Sequence, residues 1–375
     1  MEEWKEYKLE EVCSRLRSGK GIKSDCISNI GLFPVIGGNG MRGYTNKSNF
    51  KGECAVIGRQ GANCGNVRFF MGEAYMTEHA VVAVGNELAD SYFLARLLSL
   101  MHLGNLSAQS AQPGLSIQTL SKQIIRLPSI SYQREISTVL KSLDDKIELN
   151  RRINDNLEQQ AQALFKSWFV DFEPFKDGKF VDSELGMIPE GWRVGNLLDI
   201  AKLYDAKRKP LSSRERENMK KIYPYYGATS IMDYVDKYIF DGTYLLMGED
   251  GSVMDDKGYP YLQYVFGKFW SNNHAHVMQG KNNFSTEMLH SLLLKKNISP
   301  IVTGAVQAKI SQANMRKILI TQPPHEITII FSSLIKPIYE IRKKNELENQ
   351  RLSILRDTLL PKLMSGELKI NDINN

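Results

Sequence analysis

Two short loops carry the side chains best suited to chemistry. Arg59 and Gln60 lie between Gly58 and Gly61, and Glu249 and Asp250 lie between Gly248 and Gly251. The flanking glycines recur 190 residues apart, while the two residues between them change character. Glycine permits the positive φ of a tight turn, so the spacing predicts one backbone carrying two chemistries. A guanidinium and a carboxamide match guanine and adenine edges, and a carboxylate accepts from cytosine N4. An ordinary hairpin turn with arbitrary polar tips fits the same residues. Gln112 and Gln307, 195 residues apart in polar loops, are candidates for phosphate or base contact, or plain loop residues.

Phosphate contacts position a protein on a duplex, and base edges specify. Candidate positioning residues are Lys20, Lys47, Lys51 and Arg68 near the first loop, and Lys207, Arg208, Lys209, Arg214 and Lys268 near the second. His79 and His274 also recur, without partner ligands in both copies. The expectation for each is a buried histidine bonded to backbone. GNGMRG at 38–43 has the GxGxxG form, yet a dinucleotide site needs strand, turn and helix together. No clear helix follows it, and the second copy has GATSIM there, so no nucleotide site is expected.

The elements that hold these residues also occur twice. EHAVV (78–82) returns as NHAHV (273–277), and SIQTLSKQIIRLP (116–128) as SQANMRKILITQP (311–323). Trp4 pairs with Trp192. A repeat of this length is a duplicated domain rather than a solenoid unit. Runs such as ECAVIG, VRFFMG, TYLLMG and YVFGKFW are rich in β-branched and aromatic residues and predict strands. SYFLARLLSLM and STEMLHSLLLKK predict a helix in each copy. The expectation is a mixed α+β domain with a curled, mostly antiparallel sheet.

Each copy ends in a long helical pattern, Tyr132 to Phe169 and Glu326 to Leu363. Apolar residues recur in steps of three and four, as in a coiled-coil seam. Leu143, Asn150, Leu157 and Leu164 match Ile338, Asn345, Leu352 and Leu359 as pairing positions. Asn150 and Asn345 would restrain register, or else be solvated. Pro337 should kink the second helix, and Pro361 with Gly366 should end it. A two-fold relation between the copies would make the helices antiparallel, forming a rod with a recognition domain at each end. The expected fold class is therefore α+β: two similar target-recognition domains separated by two long antiparallel helices, with pseudo-two-fold symmetry. The corresponding boundaries are domain 1–130, helix 131–170, linker 171–186, domain 187–323, helix 324–367 and tail 368–375.

The chain has 375 residues, 42% hydrophobic, with net charge +6 and pI about 8.9. That balance favours a polyanionic partner without requiring one. The four cysteines all lie in the first copy, so a shared disulfide or metal framework is not expected, and free thiols in a reducing cytoplasm are. The charged start MEEWKEYKLEE is not a secretory signal. No apolar run approaches the ~20 residues of a membrane span.

INDNLEQQAQALFKSWFVDFEPF (153–175), ELGMIPEGWRVGNLLDI (184–200) and LRDTLLPKLMSGEL (355–368) resemble the specificity subunits of type I restriction-modification enzymes. The order domain, helix, domain, helix extends the resemblance along the whole chain. The resemblance implies sequence-specific binding of double-stranded DNA at a bipartite target, one half read by each domain. It implies two methyltransferase subunits docked on the helices, using S-adenosylmethionine to methylate adenine. Motor-nuclease restriction subunits, using ATP and Mg, would join them. The chain itself is expected to be non-catalytic, with no cofactor or metal of its own. The first rival is a stand-alone DNA-binding protein without methyltransferase partners. An enzyme with a glycine-loop nucleotide site and a purely structural spacer are weaker rivals.

Overall fold

The computed structural model describes residues 3–107, 114–304 and 306–373. The chain divides into two compact units, Met1–Leu149 with Glu348–Asn375, and Asn150–Leu347. In chain order the first repeat comprises β1 (Lys5–Lys8), β2 (Cys13–Ser18), β3 (Phe33–Gly37), β4 (Gly40–Thr45), β5 (Phe50–Gly58), β6 (Val67–Met76), β7 (Ala80–Gly85), α1 (Ser91–Leu100), α2 (Ile117–Ser121) and β8 (Ile124–Leu127). The long helix α3 (Ile130–Phe169) and a clip of β9 (Phe180–Val181) and β10 (Ile188–Pro189) follow. The second repeat comprises β11 (Arg193–Asn196), α4 (Leu197–Ile200), β12 (Ala201–Leu203), α5 (Ser213–Glu217), β13 (Tyr223–Tyr226), β14 (Ile231–Val235), β15 (Phe240–Gly248), β16 (Leu262–Ser271), β17 (Ala275–Gly280), α6 (Thr286–Leu293), α7 (Gln312–Met315) and β18 (Leu319–Gln322). It ends in α8 (His325–Ser365) and the short α9 (Ile370–Ile373).

The two six-stranded sheets have matching orders, β2-β7-β5-β6-β3-β4 and β12-β17-β15-β16-β13-β14. Every pairing within them is antiparallel except β3 with β6 and β13 with β16. The register requires each sheet to curl. Phe50 pairs with Ala74, and Gly58 with Ala80. Six residues of chain reach about 20 Å at most, whereas a straight β5 would hold those ends about 26 Å apart. Gly52 faces Gly72 across the β5–β6 ribbon, at φ +128° and +133°. In the second unit Gly242 faces Gly267, at φ +129° and +82°. These facing glycines let the ribbon fold back where side chains would resist. The concave face of the first sheet encloses Phe50, Cys54, Val56, Met76 and Val82. Its other face sets Ala55, Ile57 and Val81 against Phe93 and Leu98 of α1.

The helix starts also repeat. Asp90 accepts from the Phe93 amide at 2.9 Å and Ser285 from the Met288 amide at 3.2 Å, capping α1 and α6. Ser116 and Ser311 cap α2 and α7 in the same way. Each cap stabilises its helix by about 1 kcal/mol.

Each unit contains segments of both long helices. In the first, Asp144 pairs with Arg356 at 2.9 Å, Lys146 with Glu348 at 3.4 Å, and Tyr132 Oη accepts from the Ile370 amide at 3.2 Å. As one number rises the other falls, so the segments are antiparallel. In the second unit Asn154 Nδ2 donates to the Arg342 carbonyl at 3.1 Å, Asn345 Nδ2 donates to Asn154 Oδ1 at 2.9 Å, and Glu158 pairs with Arg342 at 2.5 Å. These segments are antiparallel too. Asn345 therefore bonds Asn154, while Asn150 is fully buried.

The buried stripe follows the expected seam only in part, sharing Asn150 with it. It comprises Ile136, Leu140, Ile147, Asn150 and Ala161 on α3, and Phe331, Ile335, Tyr339, Leu360 and Leu363 on α8. Leu143, Leu157, Leu164, Ile338, Leu352 and Leu359 flank it, half-buried. Leu334, Ile341 and Leu355, which continue the same three-and-four spacing on α8 through Ile338 and Leu352, are exposed. Each helix segment buries a wide face against the unit that contains it, not a narrow two-helix seam. α8 continues through Pro337 and Pro361, and Gly366, at φ +76°, follows its last residue. Phe165, Trp168 and Phe169 of α3 pack with Phe331, and Phe169 also meets Trp192 in a tilted pair. These aromatics are core.

Candidate nucleic-acid interface

In the first unit the loop after β5 is held by backbone on both sides. The Arg59 amide donates to the His79 carbonyl and the Leu115 amide to the Arg59 carbonyl, each at 2.9 Å. In the second unit the Glu249 amide donates to the His274 carbonyl and the Ile310 amide to the Glu249 carbonyl, each at 2.8 Å. Gly61 and Gly251 have φ of +75° and +76°. The frame is the same and the side chains differ. Gly58 and Gly248 serve a different need from their partners. A Cβ on Gly58 would collide with the Asn63 carbonyl, and one on Gly248 would press on the Ser252 carbonyl.

Around the first loop the structure gathers Lys20, Arg59, Gln60 and Arg68. The Lys20 amide donates to the Met76 carbonyl at 2.9 Å, and Lys20, Gln60 and Arg68 are exposed. The Arg59 guanidinium reaches Ser18 Oγ at 3.5 Å. The β3–β4 turn packs on this loop through Gly38, which abuts Gly58 and His79. Arg68 lies over Gly40 in that turn, and Arg42 lies against Gly37. Arg42 is a cation that the sequence reading missed. Its signal lay inside GNGMRG, which is a β3–β4 hairpin rather than a nucleotide loop. Lys47 and Lys51 sit at the opposite end of β5 from Gly58, and Lys51 pairs with Glu73 at 3.6 Å. Gln112 lies outside the described residues.

Around the second loop the charges are mostly internal. Arg208 Nη1 donates to Glu249 Oε2 and to the Ala275 carbonyl, both at 2.6 Å, and its other nitrogen approaches Asp205 at 3.6 Å. The Arg208 and Glu249 side chains are only 11% and 15% exposed. Lys309 lies 3.7 Å from Glu249, and His276 joins Asp205 at 2.6 Å. Asp250 bonds His274. The donors and acceptors that the sequence assigned to phosphate and cytosine are thus held by neighbours in the chain. Asp205, Glu249 and His276 have the composition of a metal site, with ligand atoms within 4.8 Å of one another. Arg208 and Lys309 already supply cations beside these carboxylates.

The remaining polar candidates stay accessible. Lys207, Lys209, Arg214 and Gln307 are exposed. Lys207 sits 5.5 Å from the Tyr204 ring centre, and the Lys209 carbonyl accepts from Trp270 Nε1 at 2.7 Å. Gln307 Nε2 reaches the Gly251 turn. Lys268 lies opposite Asp241, at the other end of β15, over the Tyr238 ring, which holds its pKa up.

The histidines correct the sequence reading. His79 and His274 are 44% and 47% exposed, and each contacts an acid, Glu78 and Asp250. The buried ones are His276 and His290. Neither belongs to a recurring pair, so the repeat gave no signal for them. All four cysteines are free. Among the described residues no helix is long and apolar enough to cross a membrane.

The chain matches the family model described as "Type I restriction modification DNA specificity domain" twice, over residues 1–159 and 189–349. It is 32% identical over 292 residues to the type I restriction enzyme MjaIX specificity subunit of Methanocaldococcus jannaschii, covering 72% of this chain and 67% of that one. It is 37% identical over 134 residues to the EcoprrI specificity subunit of Escherichia coli, covering 35% and 33%. Among solved structures, the type I restriction-modification S subunit from M. genitalium superposes with a TM-score of 0.59 over 96% of both chains at 16% identity, a likeness of fold. The double family match, over an architecture with two like sheets and two long helices, places this chain among the DNA-recognising specificity subunits of type I restriction-modification systems.

Proposed function

We propose that the chain reads a bipartite DNA target, one half by each sheet-bearing domain, and that its long helices dock two methyltransferase subunits. Motor-nuclease subunits complete the assembly. S-adenosylmethionine, ATP and Mg belong to those partners. The observation that carries the bipartite reading is the duplicated loop frame with exchanged side chains: Arg59 and Gln60 in one unit, Glu249 and Asp250 in the other, on the same pairs of backbone hydrogen bonds. In the first unit Lys20, Arg42 and Arg68 make the phosphate-facing set, and Arg59 and Gln60 the base-edge probes. In the second, Lys207, Lys209, Arg214 and Gln307 take those roles, and Arg208 with Glu249 shapes the loop. Docking is supported by exposed apolar residues on α8. Ile330, Leu334 and Ile341 of the second unit fall within roughly 40° of one another at ~100° per residue, on a face that its core leaves open.

The test is methylome sequencing of a host expressing the chain with its methyltransferase. A bipartite methyl-adenine motif is expected, and exchanging residues 1–130 for those of another family member should change one half only. A motif that changes throughout would refute the division of labour. Ile341→Lys should abolish methyltransferase co-purification without moving the melting temperature. Undiminished co-purification would remove the docking face.

A further inference from the structure

We propose that His276 is a strut charged at neutral pH, a positioning residue whose loss of a proton at alkaline pH loosens the second recognition loop and weakens reading of one half-target only. The half-target clause rests on the DNA reading given above.

Both ring nitrogens face acceptors. Nε2 lies 2.8 Å from the Ile310 carbonyl. A carbonyl oxygen only accepts, so Nε2 carries a hydrogen. Nδ1 lies 2.6 Å from Asp205 Oδ2. That oxygen also accepts from Gln312 Nε2 at 2.7 Å, and Oδ1 accepts from the Val277 amide at 2.9 Å. With donors at both oxygens and its pKa held below the ordinary carboxylate range, Asp205 is ionised at neutral pH, so Nδ1 carries a hydrogen as well. The ring is an imidazolium, 1% exposed.

The charges around it are consistent with that state. Asp205 faces it from the turn after β12, and Glu249 from the loop after β15 at 3.6 Å. Arg208 and Lys309 are the competing cations, both on Glu249. Burial is the largest single influence on His276 and lowers its pKa, but the Asp205 hydrogen bond and charge, the Ile310 carbonyl and Glu249 together raise it above the usual value. Burial likewise pushes Asp205 up, and its hydrogen bond to His276 with the other donors brings it below the ordinary range.

Losing either proton sets a nitrogen lone pair against an oxygen acceptor. The ring ties together Asp205, β17 and the segment from Ile310 to Gln312, and the Ile310 amide in turn holds the Glu249 carbonyl. Position 81, 195 residues before His276, is Val81, and position 59, the counterpart of Glu249, is Arg59. The first loop therefore lacks this titrating strut. The sign follows from linkage: a histidine pKa raised by folding gives stability that is complete below ~6.5 and lost as pH climbs through the folded value.

The test uses the intact chain. Long-range proton–nitrogen spectra of ¹⁵N-histidine-labelled protein should show both His276 nitrogens protonated at pH 7.5. Above its pKa, the Glu249, Gly251 and Ile310 amides should lose protection about tenfold per pH unit beyond the intrinsic rate, while Arg59 and Leu115 should not. His276→Gln should remove that extra dependence. A neutral ring at pH 7, or unchanged protection up to pH 9, overturns the proposal without any variant. Selection from a random duplex library at pH 6.5 and 8.5 should keep one half-motif at both and the other at 6.5 only. No selected duplex at either pH would overturn the DNA reading and the half-target clause, while the spectra would still decide the strut.

Discussion

Phe331→Ala should cost the second unit about 3–5 kcal/mol, the usual range for removing a buried phenyl ring. Phe331 is fully buried, and its ring centre lies 4.6 Å from Phe169, 5.5 Å from Trp168 and 6.1 Å from Phe165. Aromatic pairs add about 0.5–1.5 kcal/mol each beyond area, which puts the value in the upper part of that range. Domains hold roughly 5–15 kcal/mol in total, so the unit should survive, weakened. Urea unfolding followed by tryptophan fluorescence is a suitable assay. Trp168, Trp192 and Trp270 lie in the second unit and Trp4 alone in the first. At a typical urea slope of ~2–3 kcal/mol per molar, the midpoint of the second unit should fall by roughly 1–2 M. Ile136, the residue 195 positions earlier, is buried in the first unit. Ile136→Val should cost only about 1 kcal/mol and leave the tryptophan-dominated transition in place. A Phe331→Ala shift below about 0.3 M, or a larger one for Ile136→Val, would refute the assignment of Phe331 to this core.

Three further outcomes are expected. Gly61→Ala and Gly251→Ala, at φ of +75° and +76° with open space at Gly61 and only the Gln307 amide in ordinary contact at Gly251, should each cost about 1–2 kcal/mol, and Gly58→Ala, which meets the Asn63 carbonyl, should cost more; thermal melts giving the reverse order would break the account of these loops. His290 is driven down to about 3 by burial and then by Arg342; a folded value below the unfolded ~6.5 gives stability present above that pH and lost as pH falls toward 3, by up to ~1.4 kcal/mol per unit. Wild-type urea midpoints between pH 7 and 4.5 should fall more steeply than those of His290→Gln, and parallel slopes would remove that role. Burial pushes the Cys13 and Cys54 thiols up to about 12, so brief iodoacetamide treatment at pH 8 followed by mass spectrometry should label exposed Cys26 first, and early modification of Cys54 would contradict its burial.

Much of this fold is written in offsets. The recurring Ser116 and Ser311 announce two helix caps, and the recurring glycines announce two loops on one frame. The curl was expected, but the glycines that make it were equally legible and went unread: Gly52 recurs as Gly242 and Gly72 as Gly267. The seam was misplaced because spacing marks apolar residues without saying which face a neighbouring sheet will cover, so exposed Leu334 and Ile341 looked the same as buried Ile335 and Tyr339. The ion cluster was beyond sequence reasoning. Asp205, Arg208, Glu249, His276 and Lys309 come from distant segments, and most of their counterparts in the first copy are of other types. Repetition reveals what two copies share, and this cluster is where they part.

The first unit is assembled from two stretches, ending at Leu149 and resuming at Glu348, whereas the second is continuous. Leu360, Leu363, Met364 and Ile370 belong to the same core as Leu9 and Phe93. On the ribosome this inverts the usual order, in which the earlier domain folds first. Residues 150–347 can mature as soon as they emerge, while the earlier-made sheet waits with an open apolar side for a helix translated some two hundred codons later. The interval is a window for chaperone capture, and a nonsense mutation within codons 348–375 would strike the domain encoded first.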